Sequence, residues 1–304
     1  MLEIAIMIEG QNGLTWPRWQ KIVRLVEDLG FVGLFRSDHF INSNPPDIES
    51  LELWTSLTWL AGNTQRIEFG PLVTPFSFRH PVHTARMAAA VDDLSQGRLV
   101  LGLGAGWNKR EHHLFGFDLL EPKSRFDRFE EGMQVVTRLL QSDEPVTFEG
   151  QYYQLRGATL MPRPARPGGP RILVGGNGVK RTLAHVVRYA DEWNCVSLLP
   201  DKFAALNARL SEMLVKAGRD PASVRRSMMT GCVFGKDDSA LQHKIRYYGK
   251  TLQDVQQGGA VAGSVNAIKE QLHALEQEGL GRIMLQWLDL DDLESLEALA
   301  KGIL

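Results

Sequence analysis

The sequence predicts a (β/α)8 barrel, the fold often called a TIM barrel. Eight short apolar runs typical of strands recur along the 304 residues, and each is followed by a segment whose apolar residues have helical spacing. The first run ends in "IEGQNGLTW", which lacks the glycine-rich phosphate loop that follows the first strand of a doubly wound sheet. The barrel is therefore favoured over the doubly wound fold, with residues 1–304 as one domain.

The elements alternate with little interruption. Trp19, Ile22, Val23 and Val26 recur at spacings of three and four and predict the first helix, which Gly30 ends. Further helices are predicted around Trp54, from about Pro81 to Leu94, from Phe126 to Leu140, up to Ala190 and at the end of the chain. An inserted β-hairpin is predicted over 145–155, where β-forming residues alternate around a Glu-Gly pair. The eight predicted strands are 3–10, 33–38, 66–75, 98–106, 171–178, 192–199, 226–235 and 282–288.

The composition and net charge indicate which partners and which location to expect. The net charge is −2 and there is no basic block, so we expect no nucleic-acid partner. No apolar run approaches ~20 residues and the first residues do not resemble a signal peptide, so we expect no membrane partner and a cytoplasmic location. Cys195 and Cys232 lie inside apolar runs and are expected to be buried thiols.

Active sites of such barrels lie at the C-terminal ends of the strands. Asp38 and His39 end the second strand. A histidine can donate or accept a proton near neutral pH, and a neighbouring carboxylate favours its charged form. The alternative interpretation is an aspartate that caps the turn, with the histidine packed against it. The same rule selects side chains after other strands for a substrate pocket or cofactor site: Glu9, Gln11, Thr74, Trp107, Asn108, Asn194, Ser197, Gln286 and Trp287.

Two glycine-rich segments also lie at strand ends. Gly102, Gly104 and Gly106 alternate, which indicates either a crowded barrel core or a flat ligand close to the backbone. The turn Gly175–Gly178 precedes a helix, where free N–H groups and the helix dipole favour an anion. We expect Lys180 and Arg181 in the first helical turn, a position that is unfavourable for cations unless a phosphate binds there. The alternative is an ordinary turn whose cations face solvent.

A metal site is not expected. His80 and His83 lie three residues apart at a probable helix start, and neither an H-E-x-x-H motif nor a paired cysteine motif is present. We interpret these histidines as surface or capping residues.

Together these segments resemble a known family. "LFRSDHF", "LVTPFSFRHPVHTARMAAAVDDLSQGRLVLGLGAGWNKREHHLFG", "RFDRFEEGMQVV", "VTFEGQYYQL" and "PRILVGGNGVKRT" are similar to the bacterial luciferase-like family, and most similar to its members that use the deazaflavin coenzyme F420. The similarity covers nearly the whole chain. Other members with the same barrel bind FMN.

The resemblance implies a cofactor ring at the barrel mouth. His39, paired with Asp38, would protonate the substrate or stabilise charge that develops on the ring. A non-prolyl cis peptide is implied near Leu72 and Val73, behind the ring. A glutamate acts as an acid in some members, but Trp107 occupies roughly that place here, so the role is not assigned to Glu111. The other implied cofactor contacts are Thr74, Gly104, Ala105, Gly106, Asn108, Gly175, Gly176, Asn177 and Gly178.

The predicted function is that of an F420-dependent oxidoreductase, which moves a hydride between the deazaflavin and an unidentified small organic substrate. The first alternative is a monooxygenase that uses reduced FMN and O2. A cofactor carrier without turnover and a metal-dependent hydrolase are two further hypotheses. The resemblance also implies a homodimer with the helices after strands two and three at its interface.

Overall fold

The computed structural model describes residues 1–247 and 249–304, and its centre is a barrel of parallel strands. Eight of the predicted runs form this barrel, so the predicted fold is confirmed. Its strands are β1 (Glu3–Ile8), β2 (Gly33–Arg36), β3 (Glu68–Pro71) continued by β4 (Thr74–Pro75), β5 (Val100–Gly104), β8 (Arg171–Gly175), β9 (Glu192–Val196), β10 (Arg225–Val233) and β12 (Arg282–Gln286). A short strand, β11 (Val261–Ala262), pairs with β10.

The strands follow one another around the barrel in a simple order. The hydrogen-bonded sequence is β3-β2-β1-β12-β10-β9-β8-β5-β4. Because β4 continues β3, and a bridge joins Phe69 to Leu99, the two ends of this sheet meet and the barrel closes. The predicted hairpin is confirmed as an antiparallel pair outside the barrel, formed by β6 (Val146–Glu149) and β7 (Gln154–Ala158).

Helices cover the outside of the barrel and form most of the connections between its strands. The amphipathic pattern of the first helix is confirmed, since Trp19, Ile22, Val23 and Val26 are buried and Gly30 ends the helix with φ of 97°. The helices are α1 (Trp16–Leu29), α2 (Leu53–Asn63), α3 (Pro81–Leu94), α4 (Lys109–Phe115), α5 (Pro122–Gln141), α6 (Thr182–Tyr189), α7 (Pro200–Lys216), α8 (Asp238–Tyr247), α9 (Leu252–Gln257), α10 (Val265–Gln277) and α11 (Leu293–Ile303).

The third predicted strand is interrupted between Pro71 and Thr74, beside the cavity at the C-terminal end of the barrel. A non-prolyl cis peptide joins Leu72 to Val73 between β3 and β4, as the resemblance implied. The neighbouring strands approach so closely that a Cβ on Gly70 would overlap the carbonyl of Val100, and one on Gly102 would overlap the carbonyl of Pro71. The alternating glycines therefore fit the crowded-core interpretation at Gly102.

Several smaller expectations have clear outcomes. His80 caps α3 by accepting the N–H of Val82, as expected for a helix start. Cys195 and Cys232 are buried, and burial raises the pKa of each thiol to about 12. Within residues 1–247 and 249–304, no helix has the length and apolar character needed to cross a bilayer.

A buried ion cluster closes the N-terminal end of the barrel. Arg282 has a side chain that is only 1% exposed and bonds Glu3 at 2.7 Å, Glu192 at 3.3 Å and Glu68. Arg225 also lies within ion-pair distance of the same three carboxylates. These contacts join β1, β3, β9, β10 and β12 across the barrel interior, where charges must be paired to be tolerated.

We predict that Arg282→Met lowers the free energy of unfolding by about 3–5 kcal/mol, because it leaves buried carboxylates without their principal cation. Urea denaturation measures this change. Arg209→Met is the matched control, since Arg209 pairs with Glu212 on the exposed face of α7. It should change stability by no more than ~0.5 kcal/mol. Equal effects of the two substitutions would contradict a stabilising role for the cluster.

Candidate active site

A cavity of about 730 Å3 lies at the C-terminal end of the barrel strands. Its size is typical of a site for a cofactor or substrate. Most of the residues predicted from the sequence line it, and they come from seven different strand ends: Glu9, Gln11, His39, Leu72, Val73, Gly104, Ala105, Gly106, Trp107, Asn108, Gly175, Gly176, Asn194 and Gln286. Six predicted residues lie outside its lining: Asp38, Thr74, Asn177, Gly178, Ser197 and Trp287.

His39 is held by a glutamate from a distant part of the chain. Its Nδ1 lies 3.1 and 3.2 Å from the two carboxylate oxygens of Glu111, whose side chain is 0% exposed. The same carboxylate accepts the backbone N–H of Phe40 at 2.6 Å. Because Nδ1 is engaged, Nε2 is the ring atom available to exchange a proton. Trp107, which is 60% exposed, packs edge-on against the imidazole with ring centroids 5.4 Å apart.

The surroundings of His39 favour its protonated form. Burial by itself lowers the pKa of His39, but the hydrogen bond and charge of Glu111, followed by the charges of Glu9 and Asp38, outweigh burial. The pKa of His39 therefore lies above its usual value. Protonated His39 stabilises the fold fully below the unfolded pKa of about 6.5, and this contribution is lost as the pH rises through the higher folded-state value.

Asp38 does not contact His39 through a hydrogen bond, although the two are adjacent in sequence. Its oxygens accept hydrogen bonds from Arg79 at 2.7 and 3.0 Å and from the Thr74 hydroxyl at 3.1 Å. Burial raises the pKa of Asp38, and the charge and hydrogen bonds of Arg79 oppose that rise without cancelling it. Asp38 and Thr74 thus form a buried support behind the cavity wall, and Glu111 is the direct partner of His39.

Glycines make one wall of the cavity thin. A Cβ on Gly104 would lie 2.5 Å from a methyl group of Val73, and a Cβ on Gly106 would overlap the Ser77 hydroxyl. Gly106 also has φ of 86°, a conformation that side chains disfavour. Backbone and small apolar groups therefore form this wall, which leaves room for a flat ring against it.

The glycine turn after β8 continues that wall. Gly176 has φ of 126°, and both it and Thr182, the first residue of α6, line the cavity. The Gly176 N–H bonds the Asn194 carbonyl, so it is not free for a ligand. Asn177 instead fixes the turn, since its side chain accepts the Val196 N–H and donates to the Val196 carbonyl, both at 2.8 Å. Within the described chain, the N–H groups of residues 177–181 donate to no protein acceptor.

The two cations after this turn are placed differently from the sequence prediction. Because α6 begins at Thr182, Lys180 and Arg181 precede the helix and do not lie in its first turn, so that expectation is wrong. Arg181 donates to the carbonyls of Pro122 and Lys123 and lies 5.3 Å above the ring of Phe126. Lys180 is exposed at the surface beside the turn.

Trp287 belongs to a neighbouring cavity of about 480 Å3. It is 2% exposed, and the Lys244 ammonium lies 4.5 Å above its ring. The preceding residue, Gln286, faces the main cavity. Successive side chains of a strand alternate between its two faces, which explains why the two neighbours separate.

Arg79 and Thr182, which lie at or behind the cavity, were not found from the sequence, and Glu111 was considered there but given no role. Asn108 followed three residues later by Glu111 is similar to a capping box, and the Asn108 side chain does cap α4 by accepting the Glu111 N–H. That pattern identifies the helix start. It does not identify the contact with His39, which lies 72 residues away.

Comparison with known proteins agrees with this geometry. A family model described as "Luciferase-like monooxygenase" matches residues 3–299. The chain belongs to this family. The resemblance stated from the sequence is therefore confirmed, and with it the assignment to oxidoreductases.

Individual relatives extend the comparison. An "F420-dependent glucose-6-phosphate dehydrogenase" of Kineococcus radiotolerans is 27% identical over 279 residues, or 91% of this chain and 80% of that protein. A solved "F420-dependent secondary alcohol dehydrogenase in complex with an F420-acetone adduct" superposes with a TM-score of 0.85 at 17% identity, over 99% of this chain and 98% of that one. A monooxygenase from Streptomyces bottropensis gives a TM-score of 0.83 at 19% identity, with the same coverage. The two structural likenesses concern the fold.

We predict that Glu111→Gln lowers the pKa of His39, because it removes the negative charge and the charged hydrogen bond that favour the imidazolium. Proton NMR titration of the His39 ring measures this pKa directly. Glu149→Gln is the control, since Glu149 lies on the exposed face of β6 and should leave the titration unchanged. An unaltered His39 titration in Glu111→Gln would contradict the assigned pairing.

Proposed function

We propose that this protein is an oxidoreductase that uses coenzyme F420 and transfers a hydride between the deazaflavin and a small organic substrate. The observation that carries the proposal is His39, oriented by Glu111, facing a glycine-walled cavity at the barrel mouth. The F420 dependence named for the Kineococcus relative supports the choice of cofactor.

The residues present fit a flat ring with a phosphate-bearing tail. Leu72, Val73 and the glycine wall provide an apolar surface on the cavity, and Val73 and Ser77 pack so closely against Gly104 and Gly106 that no side chain fits there. The N–H groups after Gly176, with Thr182 at the start of α6, provide donors of the kind that hold phosphate. Lys180 adds a positive charge beside them. We propose these residues as the cofactor site.

A bound deazaflavin would supply the hydride acceptor or donor. The protein contributes position and proton control. Glu111 fixes the His39 ring through Nδ1, so Nε2 can hold a proton at the cavity surface and pass it to or from the substrate. Trp107 covers the imidazole from the side of the solvent. Asp38, Thr74 and Arg79 support the backbone behind His39 and are assigned as positioning residues.

A monooxygenase that uses reduced FMN is the second candidate. The description of the family model and the likeness to the Streptomyces monooxygenase favour it, because the same fold serves both cofactors. The resemblance also implies a homodimer through α2 and α3. We propose this state, and light scattering of the purified protein would measure it.

We predict that apo-protein binds F420 more tightly than FMN and that F420-loaded protein changes the absorbance of the coenzyme when supplied with a reactive alcohol or carbonyl compound. Paired fluorescence titrations with the two cofactors measure the preference. A preference for FMN, together with oxygen uptake in the presence of reduced FMN, would replace the proposal by the monooxygenase. Tight F420 binding without turnover of any substrate would indicate a carrier.

We predict that Gly176→Asp weakens F420 binding by at least about tenfold relative to Gly176→Asn, because a carboxylate would repel the phosphate of the tail. The asparagine variant has the same shape and tolerates a positive φ, so it isolates the charge from the backbone constraint. Fluorescence titration gives both dissociation constants. Equal dissociation constants for the two variants would contradict the proposal that this turn binds the phosphate.

A further inference from the structure

The cavity has two opposite walls. Around the closed barrel, β1 lies four steps from β8 in either direction, and β12 lies four steps from β5. The glycine wall proposed for the cofactor is built at the ends of β5 and β8. The opposite wall is built at the ends of β1 and β12, where Glu9 and Gln286 line the cavity. His39 follows β2 and lies beside this second wall.

Glu9 is fixed by neutral groups. One carboxylate oxygen accepts the Gln286 amide at 2.6 Å, and the other accepts the Gln11 amide at 2.8 Å. Gln11 is itself held, since its carbonyl oxygen accepts the Ser37 hydroxyl at 2.6 Å. Two bonds leave about half of the acceptor capacity of a carboxylate, which has roughly four lone-pair sites. Glu9 is partly exposed, so this remaining capacity faces the cavity that it lines.

Glu9 has no direct ion-pair partner among the residues that the structure describes. The nearby cations are engaged elsewhere, since His39 bonds Glu111 and the buried Arg36 bonds the Ser56 hydroxyl and the Leu51 carbonyl. Neither lysine nor arginine lines the cavity there, and Glu9 takes part in no ion pair. The charge of Glu111 is matched by His39. In the neighbouring cavity, Lys244 is already bonded to Asp292 at 2.6 Å and to the Phe234 carbonyl at 2.9 Å. Two carboxylates, Glu9 and Glu111, thus line the cavity against one imidazolium, which Glu111 already engages. An anionic group placed beside Glu9 would therefore meet an excess of negative charge.

We infer that the substrate of this enzyme is uncharged or cationic at the end that faces Glu9, and that Glu9 selects against phosphorylated and carboxylated molecules. The substrate class is a small polar alcohol, an amine or a carbonyl compound that also carries a hydroxyl or amino group, whose O–H or N–H donates to Glu9. The inference rests on the proposed function in so far as the glycine wall is given to the cofactor. It separates this chain from the Kineococcus relative, whose name specifies a phosphorylated sugar.

The test uses three probes that share one ring and differ in charge: cyclohexanol, cyclohexylammonium and cyclohexanecarboxylate. Their binding to the full-length protein is measured by calorimetry, with and without F420. Wild-type protein should bind the carboxylate at least about tenfold more weakly than the alcohol, and the ammonium at least as tightly as the alcohol. In Glu9→Gln these differences should fall below about threefold, since the shape is kept and the charge is removed. Glu149→Gln, on the exposed hairpin, should retain the wild-type ranking.

Each outcome decides the inference. Equal binding of the carboxylate and the alcohol to wild type would overturn it, as would a ranking that Glu9→Gln leaves unchanged or a failure of all three probes to bind. Faster turnover of glucose 6-phosphate than of glucose by the F420-loaded protein would also overturn it. The affinities of the three probes are ranked on wild-type protein, so this part of the test does not depend on whether a variant folds. If the expected ranking of the three probes is found but F420 does not bind, the charge selection by Glu9 is supported and the proposed cofactor is rejected.

Discussion

The close approach of two backbones determines how this barrel closes and where its cavity lies. Between β3 and β5 a side chain at Gly70 or Gly102 would overlap a carbonyl of the facing strand, so the strands can meet only where Cβ atoms are missing. The same seam continues through Gly104 against Val73, at the cavity wall. Closure of the fold and the shape of the site thus depend on one steric constraint. A larger residue there would push the strands apart and narrow the space for a ring at the same time.

The two ends of the barrel use charge in opposite ways. At the N-terminal end, three arginines, Arg171, Arg225 and Arg282, face the three carboxylates of Glu3, Glu68 and Glu192. The charges there are matched and hold the strands together. At the C-terminal end, His39 and Glu111 are matched, but Glu9 is left with amide partners alone. Unmatched charge in a half-buried place costs stability, and such costs are concentrated at functional sites. This contrast is what separates the supporting end of the barrel from the reactive one.

The spacing of apolar residues and the positions of glycine and proline were sufficient to predict the eight strands, the hairpin and the helix that starts at Pro81. These features depend on residues close together in sequence. The site was predictable to the extent that it follows strand ends. Glu111 was given no role from the sequence, because Trp107 occupies roughly the place of the family's glutamate. Its contact with His39 joins segments 72 residues apart, and nothing local marks which way its side chain turns. Trp287 was misplaced because the strand-end rule locates a position but not the face. One residue along a strand reverses the side-chain direction, and Gln286 faces the cavity in its place.

The Asn177 amide has a further consequence for the glycine turn that it fixes. Its two hydrogen bonds to Val196 tie a segment of small residues to the edge of β9, so a sequence that would otherwise sample many conformations is held in one. Ordering a loop on association costs free energy that subtracts from affinity. Here that cost is met during folding. An anion bound there as proposed would therefore meet a turn that is already rigid, with its geometry set before the ligand arrives.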